Sequence, residues 1–190
     1  MISALRPKVT REHAVAMLSR GVLGTARRMV LGPLRSVAEI YVPFRVYRVT
    51  GRGRREALLA IDAVTGELDL YQFDSIPDST LLADARTRNR VPAQLSIDTN
   101  RDLLQDRMKR LTYQRVGFLA APRFAVKVEP IGPTLHVPYW VGFFGSGEVA
   151  APVVIDAVRR QVEGAKARRL VVSWLTDATL LDPNPICPTV

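Results

Sequence analysis

The chain has little of the chemistry that redox and metal sites need. Its 190 residues contain one cysteine, Cys187, and two histidines, His13 and His136. A lone cysteine excludes an internal disulfide and suits a reducing compartment, so we expect a cytoplasmic protein. Two histidines with no cysteine or carboxylate cluster at ligand spacing do not form a metal site, and no cofactor is expected.

Long apolar runs and nucleotide-binding motifs are also missing. No stretch of about 18 apolar residues occurs, and charges interrupt the N-terminal residues where a signal peptide needs its apolar region. We therefore expect neither a transmembrane segment nor secretion. The Gly-x-Gly pairs at 51–53 and 145–147 are not followed by Gly-Lys-Ser, and Ser146 lies in a predicted hairpin rather than a nucleophile elbow. No catalytic residue is predicted, and a non-catalytic role is favoured over an enzyme.

Lysine is scarce among the basic residues, with 4 lysines among 27 lysines and arginines. The net charge is +9, from 15 basic and 9 acidic residues in positions 1–95 and 12 basic and 9 acidic residues in positions 96–190. This excess favours an anionic partner, which is nucleic acid, an acidic protein or an anionic lipid surface. A bias towards arginine also follows from genome composition, so the charge does not identify the partner.

The most informative feature that is present is an internal repeat. The segment from Val42 to Val64, VPFRVYRVTGRGRREALLAIDAV, returns as VPYWVGFFGSGEVAAPVVIDAV from Val137 to Val158, with ten identical pairs and one single-residue gap. Composition alone gives about one or two such matches. The offset of 95 residues is half of the chain, so we predict two copies, 1–95 and 96–190. The predicted fold class is α+β, with two tandem copies of a helix and a three-strand antiparallel meander packed as one pseudo-symmetric body.

The first copy is predicted to begin with a helix capped by Thr10. Gly21 and Gly24 weaken this helix or break it in two. Its apolar stripe at helical spacing consists of Val15, Leu18, Val22, Ala26 and Met29. Three strands follow, at about 42–46, 58–64 and 67–73. Pro43 has no amide donor, so its strand is expected at a sheet edge or at a bulge.

The second copy repeats this order after a polar connection at 74–98, in which Leu81–Arg88 is predicted to form a short helix. Thr99 or Asn100 is predicted to cap the second helix. The remaining predicted elements are strands at 125–129, 135–144, 149–158 and 159–163, a closing helix at 165–175 and an extended tail.

The turn sequence IDAVTGEL, at 61–68, resembles the PepSY-like modules of bacteria, within the broader cystatin-like architecture of a helix and a sheet. In the second copy, Arg159 and Arg160 stand in place of Thr65 and Gly66. The runs VPYWVGFF and DAVRRQVEGAK look like a bacterial family of uncharacterised proteins. The resemblance to PepSY-like modules implies a binding or inhibitory role rather than catalysis.

Two pairs of alternatives concern polar candidates. Asp62 and Asp156 occupy the same place in both copies, either as two symmetric acids or, as favoured, as aspartates that cap the following turn. The segment GRGRR, at 51–55, is either a hairpin turn with solvated arginines or a phosphate-binding turn. In the second case the anion-binding residues are Arg52, Arg54 and Arg55.

The apolar candidates are Trp140 and Phe144, where the first copy has Arg45 and Val49. They are assigned either to packing or to a partner-binding patch. Our leading hypothesis is a non-catalytic binding or assembly module with an apolar partner face in the second copy and a basic surface. A protein partner or larger complex is expected, and the homo-oligomeric state is not determined by sequence. The alternatives are an anionic partner, nucleic acid or a membrane surface, and a small-ligand carrier or enzyme with a pocket between the copies.

Overall fold

The computed structural model describes residues 1–51, 56–116, 126–146 and 150–181. Within these ranges the fold is α+β, with four helices and a nine-stranded mixed sheet. The helices are α1 (Arg11–Ser19), α2 (Gly21–Leu31), α3 (Ile97–Val116) and α4 (Ala165–Leu181). The strands are β1 (Ile2–Leu5), β2 (Leu34–Gly51), β3 (Ala57–Asp62), β4 (Tyr71–Phe73), β5 (Leu82–Ala85), β6 (Val126–Pro130), β7 (Leu135–Phe144), β8 (Ala151–Asp156) and β9 (Gln161–Val162). None of the helices described is long and apolar enough to cross a membrane.

The chain divides into two compact units, and neither unit is continuous in sequence. Unit 1 comprises Met1–Leu5, Val42–Thr87 and Pro92–His136. Unit 2 comprises Arg6–Tyr41, Arg88–Val91 and the chain from Val137 onward. The first half of strand β2 belongs to unit 2 and its second half belongs to unit 1.

Unit 1 contains the predicted meander of the first copy. Strand β2 pairs antiparallel with β3 from Phe44 to Val49, and β3 pairs antiparallel with β4. Strand β6 pairs with the other side of β2 from Tyr47 to Gly51, so this part of β2 does not lie at a sheet edge. The expectation of an edge or a bulge at Pro43 stays a prediction. Leu104 of α3 packs into a core formed by these strands, whose other members are Tyr47, Val49, Leu59, Ile61 and Val128. The meander therefore packs against a helix that follows it in the chain.

A second strand pair in unit 1 corrects one prediction. Leu82–Ala85 forms strand β5, which pairs antiparallel with β1, whereas a short helix was predicted at Leu81–Arg88. Strand β1 also runs parallel to β7 at the pair Ala4 and His136. The prediction was wrong because pairing with a strand about eighty residues away overrides the weak local helix preference.

Unit 2 contains the hairpin that was predicted for the second copy. Strand β7 pairs antiparallel with β8, and β8 pairs with β9. Helix α1 packs on this hairpin through a core cluster of Val9, Ala14, Leu18, Trp140, Phe144, Val153, Ile155 and Ala157. Helix α4 also contacts β8 and buries Ala167, Leu170 and Val171. The helix at the start of the chain therefore packs on the hairpin near its end.

The helix boundaries follow from local signals. Thr10 caps α1 and accepts a hydrogen bond from the His13 N–H at 3.3 Å, as predicted. Gly21 adopts φ +72° and separates α1 from α2, which confirms the predicted break. The predicted cap of the second helix is wrong, because α3 begins at Ile97 and the Thr99 N–H donates to Ser96 Oγ at 3.0 Å.

Candidate functional site

Asp62 is fully buried at the end of β3, and both of its carboxylate oxygens accept hydrogen bonds from the turn that follows. Oδ1 accepts from the backbone N–H groups of Val64, Thr65 and Gly66 at 3.2, 2.7 and 2.9 Å. It also accepts from the Thr65 hydroxyl at 3.1 Å, and Oδ2 accepts from the Leu68 N–H at 2.9 Å. The favoured interpretation of Asp62 as a turn-capping residue is confirmed.

Asp156 plays the same part at the end of β8. It is fully buried, and its Oδ1 accepts from the N–H groups of Val158 and Arg159, both at 2.8 Å. The Nε of Arg159 lies 3.9 Å from Oδ2. Four residues after the aspartate, Arg160 adopts φ +60°, where the first turn has Gly66 at φ +71°. Both turns therefore have a residue at positive φ in this position, and in the second turn that residue is an arginine.

Two backbone carbonyls beside these aspartates hold the segments that lead into the helices. In unit 1, the Ala63 carbonyl accepts from the N–H groups of Gln94 and Leu95 at 2.9 and 3.0 Å. In unit 2, the Ala157 carbonyl accepts from the N–H groups of Lys8 and Val9 at 2.8 and 3.1 Å. The segment before α3 and the segment before α1 are thus docked on equivalent turns.

The alanine amides are also matched in the two units. The N–H groups of Ala63 and Ala157 donate to the carbonyls of Pro43 and Pro138 at 2.8 and 3.1 Å. Two fully buried helix residues in unit 1, Asn100 and Leu104, correspond in the same way to Ala14 and Leu18 in unit 2. A spacing of 86 residues relates these helix positions, whereas 94 or 95 residues relate the hairpins. The helix spacing is therefore shorter than the hairpin spacing.

Trp140 and Phe144 lie in the core of unit 2, with exposed fractions of 9% and 1%. The indole Nε1–H of Trp140 donates to the Val9 carbonyl at 2.9 Å. Neither side chain is exposed enough for a partner to contact it. Both pack among buried apolar residues, as the packing alternative predicts. Trp140 thus fixes the chain just before α1.

Arg45, at the position in the sequence repeat that Trp140 occupies, makes a similar contact in unit 1, but to a carbonyl one residue further along the chain than the match of the Val9 carbonyl. Its Nη1 donates to the Ser96 carbonyl at 2.9 Å, just before α3. The Tyr47 hydroxyl adds a bond to the Ile97 carbonyl at 3.0 Å, and burial raises the pKa of this phenol. Sequence comparison predicted that Arg45 and Trp140 are counterparts, but it did not show that they share a role.

The predicted anion-binding residues Arg52, Arg54 and Arg55 lie outside the residues that the structure describes, as does Cys187. Two neighbouring arginines already have partners in unit 1. Arg45 is bonded to Ser96, and Arg48 forms an ion pair with Glu56 at 2.7 Å. Among the described residues, no group of three or more histidine, cysteine or acidic side chains could hold a metal ion.

Sequence reasoning missed an apolar surface on α2. We define the α2 surface as Val22, Ala26, Met29 and Val30, all of which are exposed. The exposed fractions of its three larger side chains are 81–87%. Three of these residues, Val22, Ala26 and Met29, were predicted to lie on the same stripe as Leu18, which is buried, and this prediction was wrong. The helical phase is not continuous through the break at Gly21, so α2 turns a different face outwards.

Comparison with protein-family models, with curated proteins and with solved structures finds no match to the chain. The resemblance to PepSY-like modules stays a prediction.

Proposed function

We propose that the chain is a non-catalytic binding or assembly module built from two related copies of a helix and a hairpin. The observation that carries this proposal is the repeated docking contact. In both units, a buried aspartate caps the turn after a strand. The carbonyl of the alanine that follows this aspartate accepts hydrogen bonds from two N–H groups in the segment before a helix. These contacts support a structural role for Asp62 and Asp156, the two candidate acids.

The pairing of helices with hairpins adds a detail to the proposed duplication. Helix α3, which opens the second predicted copy, packs with the hairpin of the first, and α1 packs with the hairpin of the second. The two copies therefore exchange helices within one chain, as protomers do in a domain-swapped dimer.

A binding role fits the chemistry of these residues better than a catalytic one. An acid or base catalyst must have an oxygen that can reach a proton on the substrate. The oxygens of Asp62 instead accept five hydrogen bonds from their own turn. The net charge of +9 and the resemblance to PepSY-like modules also support an interaction role.

The test is purification of the tagged chain from its own source under native conditions, followed by measurement of its particle mass. We expect the chain to be recovered with a bound partner in a particle heavier than the isolated chain. Substrate turnover by the purified chain would contradict the proposal if a point variant abolished it without changing the free energy of unfolding.

A second candidate function is binding of an anionic partner through Arg52, Arg54 and Arg55. Its support is the concentration of positive charge in this part of the sequence, where five arginines lie between positions 45 and 55. Replacing all three by serine should weaken binding to a polyanion such as heparin and reduce its salt dependence. Serine at the exposed Arg86, Arg88 and Arg90 is a control with the same charge change. Equal losses in both variants would argue against a specific site.

A further inference from the structure

The α2 surface, defined above as Val22, Ala26, Met29 and Val30, is an apolar stripe on a helix that is otherwise anchored. With 3.6 residues per turn, its four residues fall within an arc of about 100°. The opposite side of α2 faces inwards, since Gly24 is buried and Leu31 packs against the core cluster of unit 2. Isolated exposed apolar residues are common on proteins, but a continuous stripe along one helix marks an interaction surface.

Helix α2 is held in a fixed orientation within unit 2. A Cβ atom on Gly24 would lie 2.5 Å from the backbone of Ser19, so α1 and α2 approach closely at this point. The Nη1 of Arg27 donates to the Met17 carbonyl at 3.0 Å. At the other end, the Gly145 N–H donates to the Pro33 carbonyl at 3.0 Å. The α2 surface is therefore already in place before a partner binds, so binding does not require α2 to be ordered first.

The segment that carries the α2 surface has charged residues of one sign only. Residues 13–38 contain no aspartate or glutamate, and they include four arginines, which are Arg20, Arg27, Arg28 and Arg35. Arg20 and Arg28, at the start and in the last turn of α2, are both exposed. An apolar stripe bordered by arginines is typical of helices that lie in the plane of a membrane interface.

We propose that α2 binds flat on the surface of an anionic lipid bilayer. Val22, Met29 and Val30 enter the boundary between headgroups and acyl chains, while Arg20 and Arg28 contact lipid phosphates. This inference rests on the proposed binding function and names its partner. Its electrostatic part falls off within a Debye length, so exposed arginines beside the stripe contribute most.

Two other occupants fit the α2 surface less well. A second copy of the chain would bring arginines against arginines, because the segment offers no acidic residue to pair with them. Nucleic acid would satisfy the arginines but would leave the valine and methionine side chains against phosphate and water. Only a bilayer offers phosphate and an apolar phase a few ångströms apart.

The experiment measures co-sedimentation of the full chain with two kinds of vesicle, phosphatidylcholine alone and an equal mixture of phosphatidylcholine and phosphatidylglycerol. We expect binding to the anionic vesicles, little binding to the neutral ones, and weaker binding as salt rises. The triple variant V22S, M29S and V30S should bind at least about tenfold more weakly, because it loses the apolar contact. Arg20→Gln and Arg28→Gln should each weaken binding about fivefold.

The matched control replaces three apolar residues of unit 1 that are also exposed. Ile76, Leu81 and Leu111 have exposed fractions of 41–52%, and the variant I76S, L81S and L111S leaves the charge unchanged. Its affinity for anionic vesicles should stay within about twofold of the wild type, since single exposed side chains outside the stripe contribute little. Circular dichroism of each variant checks that the fold is retained.

A second measurement does not depend on the triple variant. In a Cys187→Ser background, Met29→Cys is labelled with an environment-sensitive fluorophore, and Ile76→Cys is labelled as its control. Addition of anionic vesicles should shift the emission of the label at position 29 to shorter wavelength and leave the label at position 76 unchanged. Equal responses at the two positions would overturn the inference.

Other outcomes also decide against the lipid surface. Failure of the wild type to bind anionic vesicles overturns it, as does a triple variant that binds like the wild type. Loss of a dimer in the triple variant, or a parallel loss of oligonucleotide binding, would assign the α2 surface to a second copy or to nucleic acid. If the chain does not bind vesicles but the natively purified chain retains a protein partner, the lipid inference is wrong and the proposed binding function stands. Turnover in the native preparation would remove the binding function whatever the vesicles show.

Discussion

The two units hold a helix to a hairpin with the same backbone contacts but with unlike side chains. In unit 1, Arg45 reaches the carbonyl before α3 from a position that is only partly buried. In unit 2, Trp140 reaches the carbonyl before α1 from inside the core. A backbone carbonyl accepts a hydrogen bond from any donor that reaches it, so arginine and tryptophan can exchange without loss of the contact. What changes with the exchange is how much apolar surface the contact buries.

The first prediction compares Trp140→Ala with Arg45→Ala. Loss of the tryptophan should lower the free energy of unfolding by about 3–5 kcal/mol, because it leaves a cavity and an unpaired carbonyl. Loss of the arginine should lower it by about 1 kcal/mol, since the Ser96 carbonyl can then bind water. Urea unfolding followed by circular dichroism measures both. Trp140→Phe keeps most of the packing and should lie between them, and equal losses for the two alanine variants would contradict the comparison.

The second prediction compares the two aspartates. Asp62→Ala removes the acceptor of four turn N–H groups, so it should lower the free energy of unfolding by about 3–4 kcal/mol. Asp156→Ala leaves two such groups without that acceptor and should cost about 2 kcal/mol. The same urea measurement applies. A larger loss for Asp156 than for Asp62 would show that the contact of Asp156 with Arg159 matters more than the turn amides.

The third prediction concerns the left-handed position of each turn. Gly66→Ala should lower the free energy of unfolding by about 1–2 kcal/mol, because φ is +71° and the new Cβ would lie 2.8 Å from Leu103 Cδ1. Arg160→Gly should raise it by about 0.5–1 kcal/mol, because it removes an arginine from φ +60°. Differential scanning calorimetry can resolve both shifts. Destabilisation by Arg160→Gly would mean that the arginine side chain contributes more than its backbone strain costs.

The smallest effect is expected at Glu39 in β2, which lies 95 positions before the uncharged Thr134. Burial raises the pKa of the Glu39 carboxyl above its ordinary value of 4.5, and a hydrogen bond from Tyr41 partly opposes this shift. The unfolded chain therefore ionises first, and the Glu39 contribution to stability falls as pH rises through 4.5 towards the folded pKa. Burial, with the nearby Glu39 charge, raises the pKa of Tyr41 to about 12, so Tyr41 stays neutral over this range.

Glu39→Gln should consequently stabilise the chain by about a few tenths of a kcal/mol at neutral pH, after discounting for partial solvent exposure. The gain should vanish below about pH 4, where the carboxyl is protonated in both states. Thermal unfolding at the two pH values measures it, with Asp74→Asn, at an exposed carboxyl, as the control. A gain that is equal at both pH values would exclude ionisation of Glu39 as its source.

Local patterns predicted the parts of this fold that depend on local physics. Strand β7 has the bounds given by its unbroken apolar run, Thr10 caps α1, and Gly21 breaks the helix. The turn roles of Asp62 and Asp156 were also predictable, because an aspartate at the end of a strand reaches the amides that follow it.

Features set by distant contacts were not predictable from such patterns. Strand β5 exists because β1 pairs with it. The shared role of Arg45 and Trp140 depends on acceptors 51 and 131 positions away in the chain. The α2 surface was missed because the helical phase was carried through a glycine at positive φ.

The packing of each helix on a distant hairpin has a consequence for how the chain folds during synthesis. When residue 95 has just been added, the residues of β2, β3 and β4 have been synthesised, but α3, which supplies Leu104 to their core, has not. Helix α1 must likewise wait for Trp140 and Phe144. Contacts of such sequence separation slow folding, because the loop must close before the contact is formed. Each hairpin therefore exposes an apolar face until the helix that packs on it is available. We expect a chaperone to protect these apolar faces until the last strand has been synthesised.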